Sequence, residues 1–71
     1  MDIGDAIAAI AAEAERQGFS VRQTRTAMWH FRKEGNNWTF RVRQPEDLLE
    51  VLSILVAAGL DWAAWSDDHD G

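Results

Sequence analysis

The stretch Met28-Trp-His-Phe-Arg-Lys-Glu-Gly-Asn-Asn-Trp-Thr-Phe-Arg-Val-Arg43 decides the fold. Apolar and polar residues alternate on either side of its centre, and alternation at period two sends successive side chains to opposite faces of a strand. Met28–Lys33 and Trp38–Arg43 therefore read as two strands. Between them, Glu34-Gly-Asn-Asn suits a hairpin, because Gly and Asn accept positive φ. Upstream, Phe19-Ser-Val-Arg-Gln-Thr alternates in the same way and reads as a strand before them. The joint near Thr24 to Ala27 holds neither Gly nor Pro. One long bent strand is the competing reading there.

Helices flank the strands. From Asp2 to Gln17, Ile3, Ile7, Ile10, Ala11 and Ala14 recur at helical spacing. Asp2 is placed to cap this helix and Gly18 to stop it. Gln44-Pro-Glu-Asp opens a second helix, with proline at its first position and acids in its first turn. Leu48, Leu49, Leu52, Leu55 and Val56 are expected on its apolar face. Gly59 is the expected stop, and Leu60 would close the end against the core. Trp62 is expected to seal the end of the core. The predicted fold is α+β, in the order αβββα, with a three-stranded antiparallel sheet and both helices on one face. One domain is expected over residues 1–65, followed by an acidic, disordered tail over 66–71.

Alternation sorts the strand residues by face. Phe19, Val21, Trp29, Phe31, Trp38, Phe40 and Val42 point toward the helices. Arg22, Thr24, Met28, His30, Arg32, Thr39, Arg41 and Arg43 point away. Charge follows the same division. The net charge is −5, yet all seven Lys and Arg lie between Arg16 and Arg43, with one acid, Glu34, among them. The other eleven acids lie outside that window. Solubility alone would explain a polar outer face. A face of one sign points instead to binding, since solubility usually mixes both signs.

Seventy-one residues without cysteine limit the chemistry. A chain this short buries only about 60% of the surface its unfolded form exposes. It has little room for a deep cleft. Disulfides and thiolate metal sites are excluded, and a reducing, cytoplasmic setting is expected. No signal or membrane segment is read. No phosphate loop or dinucleotide fingerprint is present, and no cofactor is expected. Asp67-Asp-His-Asp offers metal-ligand atoms, but adjacent residues on a tail do not define a site, so no metal is expected.

Four stretches carry a family resemblance. They are Ala14-Glu-Arg-Gln-Gly-Phe, Val21-Arg-Gln-Thr, Trp29-His-Phe and Leu52-Ser-Ile-Leu-Val-Ala-Ala-Gly-Leu. Over about Ile7 to Trp62 the chain resembles the HicA-like mRNA interferases, toxins of bacterial and phage toxin–antitoxin modules with a double-stranded-RNA-binding-domain-like fold. The resemblance implies a catalytic histidine opening the second strand. Here Met28 stands at that place, within Thr26-Ala-Met-Trp, and it cannot transfer a proton. His30 lies two residues on, on the same face, and is the one candidate to replace it.

The function expected is a small non-catalytic binding module of the kind a phage or mobile element encodes. Its partner would be a host protein. The binding face would comprise Arg22, Met28, His30, Arg32, Arg41 and Arg43. Trp65 is a separate protein contact, since tryptophan is enriched at binding hot spots. The alternative is a HicA-like RNA-binding domain, with or without ribonuclease activity at His30. No membrane partner is expected, and a sheet edge is available for a homodimer.

Overall fold

The computed structural model describes residues 2–62. Helix α1 (Ile3–Arg16) leads to strands β1 (Ser20–Arg25), β2 (Met28–Lys33) and β3 (Asn36–Arg41), and helix α2 (Pro45–Ala57) follows. The strands form one antiparallel sheet in the order β1-β2-β3. The expected α+β fold, in its expected order, is the fold observed. The expected domain limit at residue 65 and the tail over 66–71 lie outside the described residues.

Both helices cover one sheet face. Ile7, Ile10, Ala11 and Ala14 of α1 and Val51 and Leu55 of α2 form one buried cluster with Phe19, Phe31, Phe40, Val42 and Leu60. Trp29, Trp38, Val21 and Trp62 pack against that cluster, half-buried. Phe31 is fully buried, and its ring meets Phe40 edge-on with centroids 5.7 Å apart. Trp62 thus packs where the sequence placed it, at the core.

The helix ends repay their glycines. Past α1, the Phe19 N–H donates to the Ala14 carbonyl at 2.9 Å and the Gly18 N–H to the Glu15 carbonyl at 3.1 Å. Past α2, Leu60 donates to Leu55 at 2.9 Å and Gly59 to Val56 at 3.0 Å. Both are Schellman closures, in which a residue with positive φ reverses the chain. Gly18 at φ 103° and Gly59 at φ 111° fill that role. Phe19 and Leu60, each one residue further on, are buried as hydrophobic closures. The two ends are joined side by side. Gln17 Nε2 donates to the Asp61 carbonyl and the Asp61 N–H donates to Gln17 Oε1, both at 2.8 Å.

Three expectations are corrected locally. Asp2 sits at the cap position of α1, but its side chain makes no capping hydrogen bond. Leu49 is exposed rather than part of the α2 stripe, which centres on Val51 and Leu55 with Leu48, Leu52 and Ile54 beside them. At about 100° per residue, position 49 lies at the margin of the stripe that 48, 51, 52 and 55 form, on the opposite side from Ile54. The third strand runs two residues earlier than the alternation suggested, from Asn36 to Arg41.

The reason for that shift is the turn. Lys33 pairs with Asn36, so the loop is Glu34-Gly35 alone, and the asparagines belong to the strand. Glu34 takes φ 52° and Gly35 φ 85°. Positive φ at both central residues is the type I′ hairpin turn, whose twist matches that of the strands. Glutamate is poorly suited to it, because a left-handed backbone crowds its Cβ. Glu34→Asn would create Asn-Gly, the pair this turn prefers. The expected gain is about 0.5–1 kcal/mol, or a rise in Tm of about 3–6 °C, read in a thermal melt followed by circular dichroism. A lower Tm would contradict this account of the turn.

Candidate binding face

The outer sheet face is organised in three cross-strand rows. Arg25, Met28 and Arg41 align in the first. Arg22, His30 and Thr39 form the second, and Ser20, Arg32 and Asn37 the third. Successive rows are two residues, about 7 Å, apart along a strand, and neighbouring strands are about 4.8 Å apart. The whole array therefore covers about 13 Å by 10 Å.

Arg25 owes its place to a bulge. Val21 pairs with Phe31 and Gln23 with Trp29, both rows on the helix side. Strict alternation would send residue 25 to that side too. The register slips between Gln23 and Arg25, so Thr24 has no cross-strand partner and Arg25 pairs with Met28. An inserted residue of this kind re-aims the side chains that follow it. Arg25 thus joins the outer face, which alternation alone does not give it. The first two strands are separate, joined by Thr26-Ala27. Ala27 takes φ 67°, a conformation usually left to glycine, so the sequence carries no turn signal at this joint.

Four arginines, Arg22, Arg25, Arg32 and Arg41, stand exposed on this face. Met28 is half-buried in the row between Arg25 and Arg41. His30 is also half-buried, and its Nε2 lies 3.2 Å from Asn37 Oδ1. An amide oxygen only accepts, so this contact assigns the ring proton to Nε2. No carboxylate supports the ring among the described residues. Asn37 Nδ2 in turn reaches the Gly35 carbonyl at 3.5 Å. Asn37 enters the site because the strand begins before the point that alternation marked.

The other sequence candidates lie elsewhere. Arg43 falls beyond the paired end of β3, and its backbone N–H donates to Asp47 Oδ2 at 2.9 Å. Its side chain lines a depression of about 610 Å³ with Trp29, Gln23 and Ile3, beside the start of α1. It is therefore separate from the three rows. Asp47 also accepts the Gln44 N–H at 3.0 Å. Those two backbone donors, first Arg43 and then Gln44, hold its carboxyl below the usual carboxylate range. Trp65 lies outside the described residues.

Charge is divided between the two sides of the molecule. Among the described residues, the one ion pair joins Arg16 to Glu13 on α1. Hydrogen bonds from Arg16, and then from Gln17, lower the Glu13 carboxyl to about 2. The described acids lie on the helices and their flanks, apart from Glu34 at the hairpin tip. Lys33 is engaged as well, its Nζ 4.7 Å from the centre of the Phe19 ring. The four outer arginines have no ion-pair partner among the described residues. Also among these residues, no group of three or more His, Asp or Glu side chains is gathered as a metal site would need. No described helix is long and apolar enough to cross a membrane.

No family model matches the chain, and neither a curated protein nor a solved structure matches it.

Proposed function

We propose that this protein is a non-catalytic binding module whose outer sheet face takes an acidic surface or segment of a partner protein. The observation that carries this reading is the array of Arg22, Arg25, Arg32 and Arg41. All four are exposed on one face, without a carboxylate partner among the described residues. A guanidinium presents a fork of donors that matches a carboxylate. Four of them on rigid strands form a ready site for several carboxylates at once. Met28 adds an apolar contact at the centre of the first row.

The composition of the face favours protein over nucleic acid. Sheets that bind single strands stack bases on outward aromatic rings. Here Phe19, Trp29, Phe31, Trp38 and Phe40 all belong to the core or pack against it. A domain that reads duplex RNA spans about 16 bp, far longer than this array. Within this reading Trp65 serves as a separate contact. The partner is a host protein, as the resemblance to element-encoded modules suggests. A HicA-like RNA-binding domain is the second reading. It is favoured by the same four arginines and by the shared element order. In it His30 would be the sole candidate base, acting through Nδ1 because Asn37 accepts the Nε2 proton, but no second acid or base stands beside it among the described residues.

Fluorescence titrations with a short labelled Asp/Glu-rich peptide and with an RNA duplex of about 16 bp separate the two readings. The expected result is salt-sensitive binding of the peptide, tighter than that of the duplex at about 50 mM and at about 200 mM salt. Tighter binding of the duplex, with a steep salt slope, would overturn the protein reading in favour of RNA. Binding of neither at low salt would remove both.

A further inference from the structure

The outer face lacks counter-charges among the described residues, and the segment that follows them is rich in the charge it lacks. Residues 66–70 read Ser-Asp-Asp-His-Asp, and Asp67, Asp68 and Asp70 carry three negative charges within four positions. We propose that this segment docks on the outer sheet face of its own chain, with its carboxylates against Arg32 and Arg22, and so competes with the partner for that face. The inference rests on the reading of the face as an anion-binding surface. It adds the way in which that surface is regulated.

The place where the described chain ends supports it. Asp61 is fixed to Gln17 by two backbone-to-amide hydrogen bonds of 2.8 Å. Gln17 is three positions before Ser20, the first residue of β1. The chain therefore passes Trp62 beside the end of the sheet that carries the Ser20–Arg32–Asn37 row. β1 is an edge strand, and among the described residues no further strand lies beyond it. The step from the helix layer to the sheet is about 10 Å, and the long arginine side chains reach outward from there. Five residues, from Trp62 to Asp67, reach up to about 17 Å when extended. Asp67 can therefore arrive at Arg32, and Asp68 and Asp70 can continue toward Arg22.

Tethering makes this occupant the stronger competitor. A segment joined by a short link meets its site at an effective concentration in the millimolar range. The acidic helix face of a second copy, at micromolar protein, meets the same arginines about a thousandfold less often. The contacts would be exposed and each worth little. The docked segment is thus held loosely enough for a partner with more carboxylates to displace it.

The chain has no cysteine, so one can be introduced for labelling without ambiguity. A nitroxide on the full chain carrying His69→Cys, with no partner added, tests the proposal by paramagnetic broadening of backbone amides. The expected result is loss of amide intensity at Arg22, Arg32 and Asn37, with none at Ala8 and Ala12 on the exposed side of α1. That loss should vanish when Asp67→Asn, Asp68→Asn and Asp70→Asn are added. It should also vanish at about 1 M NaCl, where the Debye length is about 3 Å. Broadening that is absent, equal on both sides of the molecule, or unmoved by salt would overturn the proposal. The peptide titration would still decide the partner reading, because this experiment contains no partner.

Discussion

Phe31→Ala is expected to leave the chain unfolded at room temperature. Phe31 sits in the central strand, wholly buried, against Phe40 and the cluster shared by both helices. Truncating a buried phenylalanine to alanine costs about 3–5 kcal/mol, because apolar contacts are lost and a cavity remains. A domain of this size has only about 3–5 kcal/mol of net stability to lose. The two quantities are equal within their spread, so no folded majority should survive. Far-UV circular dichroism at 25 °C, with a urea titration, reads the outcome. The control is Leu49→Ala, at a side chain 58% exposed on α2. A surface change of that kind moves stability by about 0.5 kcal/mol or less. A cooperative melt of Phe31→Ala near that of the parent would show that the core is not centred where the packing places it.

The asymmetry between these two positions also shows what the sequence could tell. Phe31 lies between the polar His30 and Arg32 and two residues from Trp29, so its inward direction follows from the pattern alone. Leu49 sits in a run of apolar residues from Leu48 to Leu60, where nearly every position is apolar and periodicity loses contrast. There the stripe is set by which residues meet the sheet, and that is a tertiary fact. The glycines were legible for the same local reason as Phe31. Gly18 and Gly59 each stand two residues past the end of a helix and one before a buried hydrophobe, which is the pattern a Schellman closure needs.

The binding face was legible in part. Arg22, His30, Arg32 and Arg41 follow from alternation, and each occupies one of the three rows. Arg25 does not, because a bulge at Thr24 changes the parity of everything after it. Bulges answer to the turn that follows them, and here the turn uses Ala27 at positive φ, a residue that carries no turn signal. Arg43 fails in the opposite direction. Alternation continues through it, but pairing stops at Arg41, and Asp47 draws the backbone of Arg43 into the start of α2. The hydrogen bonds between Gln17 and Asp61 join residues forty-four apart, beyond the reach of any local pattern.

The second large effect concerns the face itself. Reversing Arg22 and Arg41 together should abolish binding of an acidic partner without harming the fold. Each reversal removes an attraction and installs a repulsion, and two together are worth about 2–4 kcal/mol at exposed positions. That corresponds to a loss of affinity of roughly 30- to 800-fold. The fold should tolerate the change, since both side chains are exposed and neither has an ion-pair partner among the described residues. Stability should hold or rise slightly, because like charges on one sheet face repel.

The most direct test of the account is therefore a titration of the parent protein and of the Arg22→Glu/Arg41→Glu variant with the Asp/Glu-rich peptide, at about 50 mM salt. Melting curves of both proteins, recorded alongside, establish that both are folded. The parent should bind saturably and the variant at least about 30-fold more weakly, at an unchanged or higher Tm. A folded variant that binds the peptide as tightly as the parent would contradict this, and the outer sheet face would not be the binding surface.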